Sequence, residues 1–275
     1  MKYFHIVMTF MLFMTAPLFA SAATQAVSLA NDAYLPPEKF MEKYGSDHHE
    51  LTAERALSIN YYIFRQKNQL IVVFEGTNDL SSLKMDLQVG ESDFLHLFGT
   101  QVHKGYYSEA QVAYKRVSPL VTKEQQVIVV GHSLGGAVGH LLAAILYKEG
   151  YNVRLFTFGE PPVGNEDFVH AVKGLDHQRY THIFDMVPLL KKEYIEKLQD
   201  ALSYVKTQLP ENEAMSALVD ALNAIPYTFV HQGEHHYIYN SPNLPTGYDE
   251  RAWYERFIVR AYLYHSVQNY LEGVD

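Results

Sequence analysis

The sequence predicts an α/β fold with a mostly parallel central sheet flanked by helices, and three observations predict it. Val127-Ile128-Val129-Val130 is a short, continuous β-branched run, the pattern of a strand buried on both faces. Beyond a glycine-rich turn, Val138, Leu141, Leu142, Ile145 and Leu146 recur at helical spacing, and Gly150 stands where a helix C-cap belongs. Strand-like and helical stretches alternate in the same way on both sides of this unit, as parallel strands joined by helical crossovers require.

The elements follow in chain order. Lys2 precedes an apolar stretch from Tyr3 to Phe19, and Ala20-Ser21-Ala22 is a small-residue cleavage site ahead of Ala23. Residues 1–22 therefore read as a signal peptide, somewhat short for a membrane span and with an uncleaved anchor as the alternative, and predict a secreted or periplasmic protein. The remainder, about 250 residues, suffices for one domain with a full core, residues 23–275. Asn31 to Gly45, with Pro36-Pro37, reads as a leading segment wrapped on the body. Leu57–Phe64 and Leu70–Phe74, joined through Gln66-Lys67-Asn68-Gln69, predict a β-hairpin. A helix is expected over Ser108–Val121, limited by Pro119, and a strand over Asn152–Phe158, ended by Gly159 and Pro161-Pro162. Asp167–Val172 reads as a short helix and Tyr180–Phe184 as a strand ended by Asp185 and Pro188. Leu189–Pro226 is helical in pattern, with stripes through Ile195, Leu198, Leu202, Val205 and Leu209 and, beyond Pro210, through Leu218, Val219, Leu222 and Ile225. It is a helical insertion that either caps the site or packs as a fixed pair on the body. Tyr227–Val230 and Tyr237–Tyr239 read as the two strands of a hairpin.

Composition narrows the function. A net charge of −9 without a long Lys/Arg cluster gives no footprint for nucleic acid or for an anionic membrane. The absence of cysteine excludes a thiol nucleophile, a cysteine-ligated zinc site and a lipidated cysteine anchor, so an exported fold must rest on its core alone.

The chemistry centres on Gly131-His132-Ser133-Leu134-Gly135, a G-x-S-x-G turn between a buried strand and a helix. That order places Ser133 Oγ at the carboxyl edge of the sheet, where the N–H of Leu134 can donate to an oxyanion. A serine nucleophile needs a base and a carboxylate to orient it, both on loops beyond strand carboxyl ends. Asp176 lies at the wrong edge, Asp167 suits a helix start, and Asp185 directly follows a strand, which selects Asp185. The candidate bases are His231, His235, His236 and His265. His231-x-x-Glu234-His235 has the order of a zinc motif, but that motif needs a helix, and Gly233 among strand-like neighbours argues against one. No metal site is expected there.

On these motifs the chain resembles the class 3, fungal-lipase-like family of the α/β-hydrolase fold, from about Leu70 to the C-terminus. Val72-Val73-Phe74-Glu75-Gly76-Thr77 resembles a family strand whose final hydroxyl residue helps to form the oxyanion hole, and Asp86 sits where the family has an aspartate bracing that residue. Val102-His103-Lys104-Gly105-Tyr106, Gly131 to Gly136, Phe158-Gly159-Glu160-Pro161 with Val163-Gly164-Asn165, and Asp185-Met186-Val187-Pro188 each resemble further family segments. The resemblance implies His265, followed by Tyr270, as the base, and Thr77 with Leu134 as the oxyanion hole, with Asp86, Gly131, His132 and Gly135 in support. It also implies hydrolysis of lipid acyl esters through an acyl-enzyme, with no cofactor, the partner being a lipid or ester substrate at a membrane or micelle interface. A phospholipase A or an acyltransferase would use the same residues, and a non-catalytic lipid-binding protein could keep the fold. Two positions depart from the pattern: Glu75 replaces an arginine, setting a carboxylate beside the oxyanion strand, and Pro162 replaces another. The family's lid would fall on Asn78–Gln88, equally readable as a buried short helix, and Phe94, Leu95, Leu97 and Phe98 are candidates for lining an acyl site.

Overall fold

A computed structural model describes residues 22–45, 49–77, 94–185, 187–188, 229–239 and 264–274. The expected signal peptide (save for Ala22), the segment 78–88 expected to correspond to the family's lid, with Asp86, and the expected insertion at 189–226 lie outside these residues.

The described chain opens with helix α1 over residues 22–32, then α2 (Pro37–Tyr44), which has proline in its first turn, where no intrahelical N–H is needed. Strands β1 (His49–Arg55), β2 (Asn60–Gln66) and β3 (Gln69–Phe74) follow. β4 (Phe94–Leu97) and β5 (Thr100–His103) precede α3 (Lys104–Val117). The chain continues through β6 (Gln126–His132), α4 (Ser133–Lys148), β7 (Asn152–Phe158), β8 (Gly164–Asn165), α5 (Glu166–Ala171) and β9 (Asp176–His182). β10 (Phe229–Val230), β11 (Glu234–Ile238) and α6 (Val267–Gly273) complete it.

The main sheet has seven strands in the order β1-β2-β3-β6-β7-β9-β11. β3, β6, β7, β9 and β11 run parallel, while β1 and β2 pair antiparallel at one edge. The alternation of side chains along each strand builds two cores from one sheet. Tyr61 and Ile63 of β2, Leu70, Val72 and Phe74 of β3, and Val127 and Val129 of β6 join Ala113, Val138, Leu141 and Phe168 from α3, α4 and α5. Their sequence neighbours Tyr62, Phe64, Ile71, Val73 and Val130 face the other way, against Ala26, Val27 and Ala30 of α1, Phe40 of α2 and Tyr270 of α6. Both faces are therefore apolar, and the central strands read as unbroken hydrophobic runs for that reason. A smaller antiparallel sheet, β10-β8-β5-β4, lies beside it.

Local signals fix several boundaries. The hairpin between β2 and β3 turns on Lys67-Asn68, with Lys67 in the left-handed region at φ 54. α4 ends in a Schellman arrangement: Gly150, at φ 83, donates its N–H to Tyr147 O (2.9 Å), and Tyr151 N–H reaches Leu146 O (3.1 Å).

Other elements differ from expectation. β2 starts at Asn60 instead of Leu57, because the N–H groups of Leu57 and Ser58 are taken by the Glu109 carboxylate at 2.7 and 2.8 Å and Leu57 is exposed. α3 starts at Lys104, four residues early, because the ring of His103 caps it, accepting from Tyr106 N–H at 3.2 Å; it yields at Val117 to a 3₁₀ turn holding Pro119. α5 is capped by Asn165, whose side chain accepts from Phe168 N–H at 3.0 Å, with Asp167 inside the first turn. β10 and β11 are not a hairpin. β10 pairs with β8 in the small sheet, and β11 pairs parallel with β9, the chain being redirected at Gly233 with φ 99. Leu97 is buried in the core under α3 and Phe98 is exposed at the β4–β5 turn.

Candidate active site

β6, at the middle of the sheet, delivers Gly131 and His132 and breaks directly into α4 at Ser133. Ser133 takes φ 53, a strained conformation that turns its hydroxyl out of the strand direction at the helix start. The turn is possible only with glycine on either side. A Cβ on Gly131 would lie 2.3 Å from Gly135 O, and one on Gly135 would lie 2.3 Å from Glu75 O and 2.8 Å from Phe74 O. Among the described residues no side chain caps α4, whose first N–H groups, that of Leu134 among them, stand at the positive end of the helix dipole.

Three residues far apart in sequence meet here. Ser133 Oγ and His265 Nε2 are 2.7 Å apart, and His265 Nδ1 lies 2.9 and 3.0 Å from the two oxygens of Asp185. Asp185, fully buried just past β9, also accepts from Val187 N–H (2.9 Å) and from the hydroxyl of Tyr270 (2.5 Å). Tyr270 in turn accepts the N–H of His182 at 3.0 Å, which ties α6 to the end of β9. Burial, reinforced by the neighbouring Asp185, pushes the Tyr270 hydroxyl well above its usual value, so it remains a proton donor. The geometry sets a hydroxyl against an imidazole nitrogen and a carboxylate against the imidazole's other nitrogen, the arrangement that nucleophilic acyl transfer uses.

The supporting positions are equally specific. His132 lies behind the triad: its Nε2 is 2.7 Å from the carbonyl oxygen of His265 and its Nδ1 is 2.6 Å from the Tyr34 hydroxyl. Burial, then the proximity of His265, holds His132 far below the usual histidine value, so the ring is neutral, donating from Nε2 and accepting at Nδ1. Tyr34 gave no local signal in the sequence; its contact arises from the packing of the N-terminal segment, against a glycine whose Cβ would collide with its hydroxyl, Gly76. Thr77 is half-buried immediately after Gly76, just past the carboxyl end of β3, and Asp86 lies outside the described residues. Glu75 is buried, and its carboxylate accepts from Asn60 Nδ2 at 2.6 Å across the β2–β3 pair.

His231, Glu234 and His235 are not gathered into a metal-binding group. His231 Nε2 donates to Pro188 O at 2.6 Å, and burial, followed by the charge of Arg179, lowers it to about 3. Among the described residues, the side chains that cluster as metal ligands would are His140, Glu160 and His177, none of which stands out in the sequence as such a set.

Residues 71–195 match the model of a family described as lipase (class 3). A lipase of Rhizopus niveus is 35% identical over 144 residues, which cover 47% of this chain and 37% of that enzyme. The match thus spans well under half of that relative's length. Among solved structures, the lipase of Rhizopus microsporus var. chinensis is 27% identical with a TM-score of 0.53, covering 62% of this chain and 68% of its own. The triacylglyceride lipase of Rhizomucor miehei superposes with a TM-score of 0.56 over 80% of each chain at 21% identity, a likeness of fold.

Proposed function

We propose that the chain, similar over residues 71–195 to the class 3 lipases of the α/β-hydrolase fold, is a member of that family and hydrolyses carboxylic esters of lipids through Ser133, His265 and Asp185. The observation that carries this reading is the continuous contact from Ser133 Oγ through both ring nitrogens of His265 to Asp185. His265 Nε2 takes the serine proton as Oγ attacks the ester carbonyl, and Asp185 holds Nδ1–H and stabilises the imidazolium that forms. The N–H groups of Leu134 and Thr77, with the Thr77 hydroxyl, receive the oxyanion; losing one such donor typically costs about a hundred- to a thousandfold in rate. His265 then returns the proton to the leaving alcohol, and a water molecule activated by the same ring releases the acyl group. Gly131 and Gly135 allow the elbow, and His132 holds the backbone of His265. The carboxylate of Glu75 has a partner in Asn60, which supports an intact oxyanion hole beside it. Export to the periplasm or medium rests on the leader-like residues 1–22.

The test is covalent. A fluorophosphonate should label the wild-type protein at Ser133 and leave Ser133→Ala unmodified. Wild type should cleave p-nitrophenyl esters, and a preference rising from acetate towards palmitate would support the lipid substrate. Labelling at another residue, or equal hydrolysis by both proteins, would overturn the assignment.

A further inference from the structure

Beside the first turn of α4, on the sheet face away from Tyr270, lies a buried polar cluster that the proposed reaction does not use. Glu160, just past β7, is 1% exposed, Thr157 and His177 are in strands β7 and β9, and His140 lies on α4. Glu160 Oε1 is 2.7 Å from His140 Nδ1, and Glu160 Oε2 is 2.8 Å from Thr157 Oγ1 and 3.3 Å from His177 Nε2. Thr157 Oγ1 is also 2.8 Å from His177 Nε2.

Hydrogen placement in this cluster is constrained. Gln232 directs its amide nitrogen at the carbonyls of Leu175 (3.3 Å) and Val172 (3.5 Å), so its oxygen must face His177 Nδ1, 2.7 Å away. His177 Nδ1 therefore carries a hydrogen, and a neutral ring presents a bare lone pair at Nε2. That lone pair faces Glu160 Oε2 and Thr157 Oγ1, and the threonine has a single hydrogen to offer both. His140 Nε2 is buried and has no hydrogen-bond partner among the described residues. The nearby guanidinium of Arg179 is turned along its own strand to Thr181 Oγ1 at 3.2 Å. Electron-rich atoms thus converge where a positive centre belongs.

We propose that His140, Glu160 and His177 bind one divalent transition-metal ion of the zinc class, as a structural brace between α4, the turn after β7 and β9. The three ligand atoms lie within 4.8 Å of one another. Tetrahedral zinc with bonds of about 2.0–2.2 Å sets its ligands about 3.3–3.6 Å apart, so small side-chain shifts suffice. Two imidazoles and a carboxylate are a donor set that suits zinc and its neighbours better than calcium or magnesium. Gln232 holds the distal N–H of His177, as the outer partners of metal-bound histidines commonly do. Thr157 Oγ1 or a water is available as a fourth ligand. The ion takes no part in ester cleavage.

The experiment uses the whole chain without a histidine tag, unfolded in guanidinium with chelator and refolded either with zinc or with chelator. After gel filtration, metal is counted by mass spectrometry and thermal unfolding is recorded. About one zinc per chain is expected, with a melting temperature about 5–10 °C higher than the chelated protein, the size a hundredfold excess over Kd gives a domain of this length. His140→Gln and His177→Gln should refold without retaining zinc. Wild type that refolds zinc-free with an unchanged melting temperature overturns the proposal and leaves a proton on His177 to complete the network. Zinc retained equally by both variants overturns it too, since the ion is then bound elsewhere. Fluorophosphonate labelling of Ser133 is independent of either result.

Discussion

Tyr270→Phe isolates the contribution of one hydroxyl to the site. In the wild-type protein that hydroxyl donates to Asp185 Oδ2 at 2.5 Å and accepts His182 N–H at 3.0 Å, with Tyr270 fully buried. Phenylalanine keeps the ring packing and removes both bonds. Stranding a buried N–H costs about 1–3 kcal/mol, and a hydrogen bond to a charged group contributes about 1.5–3 kcal/mol. The two losses overlap, because local rearrangement can repair part of each, so a total of about 2–4 kcal/mol is expected. For a domain of this size that corresponds to a fall of about 5–15 °C in melting temperature. Catalysis should suffer less. Asp185 keeps Val187 N–H and faces His265 Nδ1 with both oxygens, so the imidazole stays oriented. We expect kcat on a p-nitrophenyl ester to drop about tenfold or less, against about 10⁴-fold for Asp185→Asn, the loss known for that change in a serine protease triad. Urea unfolding and steady-state kinetics on the same preparations measure both. An unfolding free energy within 0.5 kcal/mol of wild type (about the scatter of neutral substitutions), or a rate loss equal to that of Asp185→Asn, would refute this partition between stability and orientation.

Three further outcomes are expected. Gly135→Ala should destabilise by about 3 kcal/mol or more, since its Cβ meets two backbone oxygens that cannot yield; Gly99→Ala, with nothing within 4 Å but φ 78, should cost only about 1–2 kcal/mol. Thermal melts of the two variants compare them. Lys67→Gly relieves a left-handed lysine by about 1–2 kcal/mol and adds about 0.5–1 kcal/mol of unfolded-state entropy, for a net gain of about 0–1.5 kcal/mol in urea unfolding. The third concerns pH: His231 takes up its proton near the usual histidine value when unfolded but only near about 3 when folded. The unfolded state therefore binds more protons across that window, and stability contributed by the neutral ring falls as pH drops below the unfolded value. Denaturant unfolding from pH 7 to 4 should show a slope shallower in His231→Gln by at most about 1.4 kcal/mol per pH unit.

The parts of the fold legible in the sequence are those whose cause is local. The β-branched run of β6, the apolar stripe of α4 and Gly150 beyond it each carry their reason within a few residues. The β2–β3 hairpin does so too. Failures occur where the cause is distant or chemically unusual. The start of α3 depends on a histidine ring acting as a cap, a role composition assigns to serine, threonine or aspartate. Two strand-like runs on either side of Gly233 look like a hairpin until β9 offers β11 five consecutive parallel pairings, from Glu234 to Ile238, that β10 is too short to match. The site divides in the same way. Ser133 and Asp185 were placed by strand-end logic, but four histidines were equivalent on local grounds, and His265 was distinguished by resemblance alone. Its contact with Asp185 joins residues 80 apart. Tyr34 and the His140–Glu160–His177 cluster exist only in the packed molecule.

Glu75 shows how strand alternation, more than residue type, decides what a charge meets. A carboxylate on the residue before Gly76-Thr77 reads as a charge set against the developing oxyanion, and in a water-poor site such a charge would raise the barrier. A strand, however, sends successive side chains to opposite sides, so one residue's displacement decides which surroundings a charge meets. The backbone N–H of Glu75 is held by Asn60 O at 3.0 Å, and the side chain of the same asparagine receives the carboxylate at 2.6 Å. Asn60 thus holds Glu75 at two points, backbone and side chain, from the β2 side of the sheet. Asn60→Ala removes one partner of that charge: a fall in kcat with KM unchanged, reversed in the Asn60→Ala, Glu75→Gln double variant, would show that the asparagine protects the oxyanion hole. A loss that the second substitution leaves in place would mean that Asn60 acts through strand pairing alone.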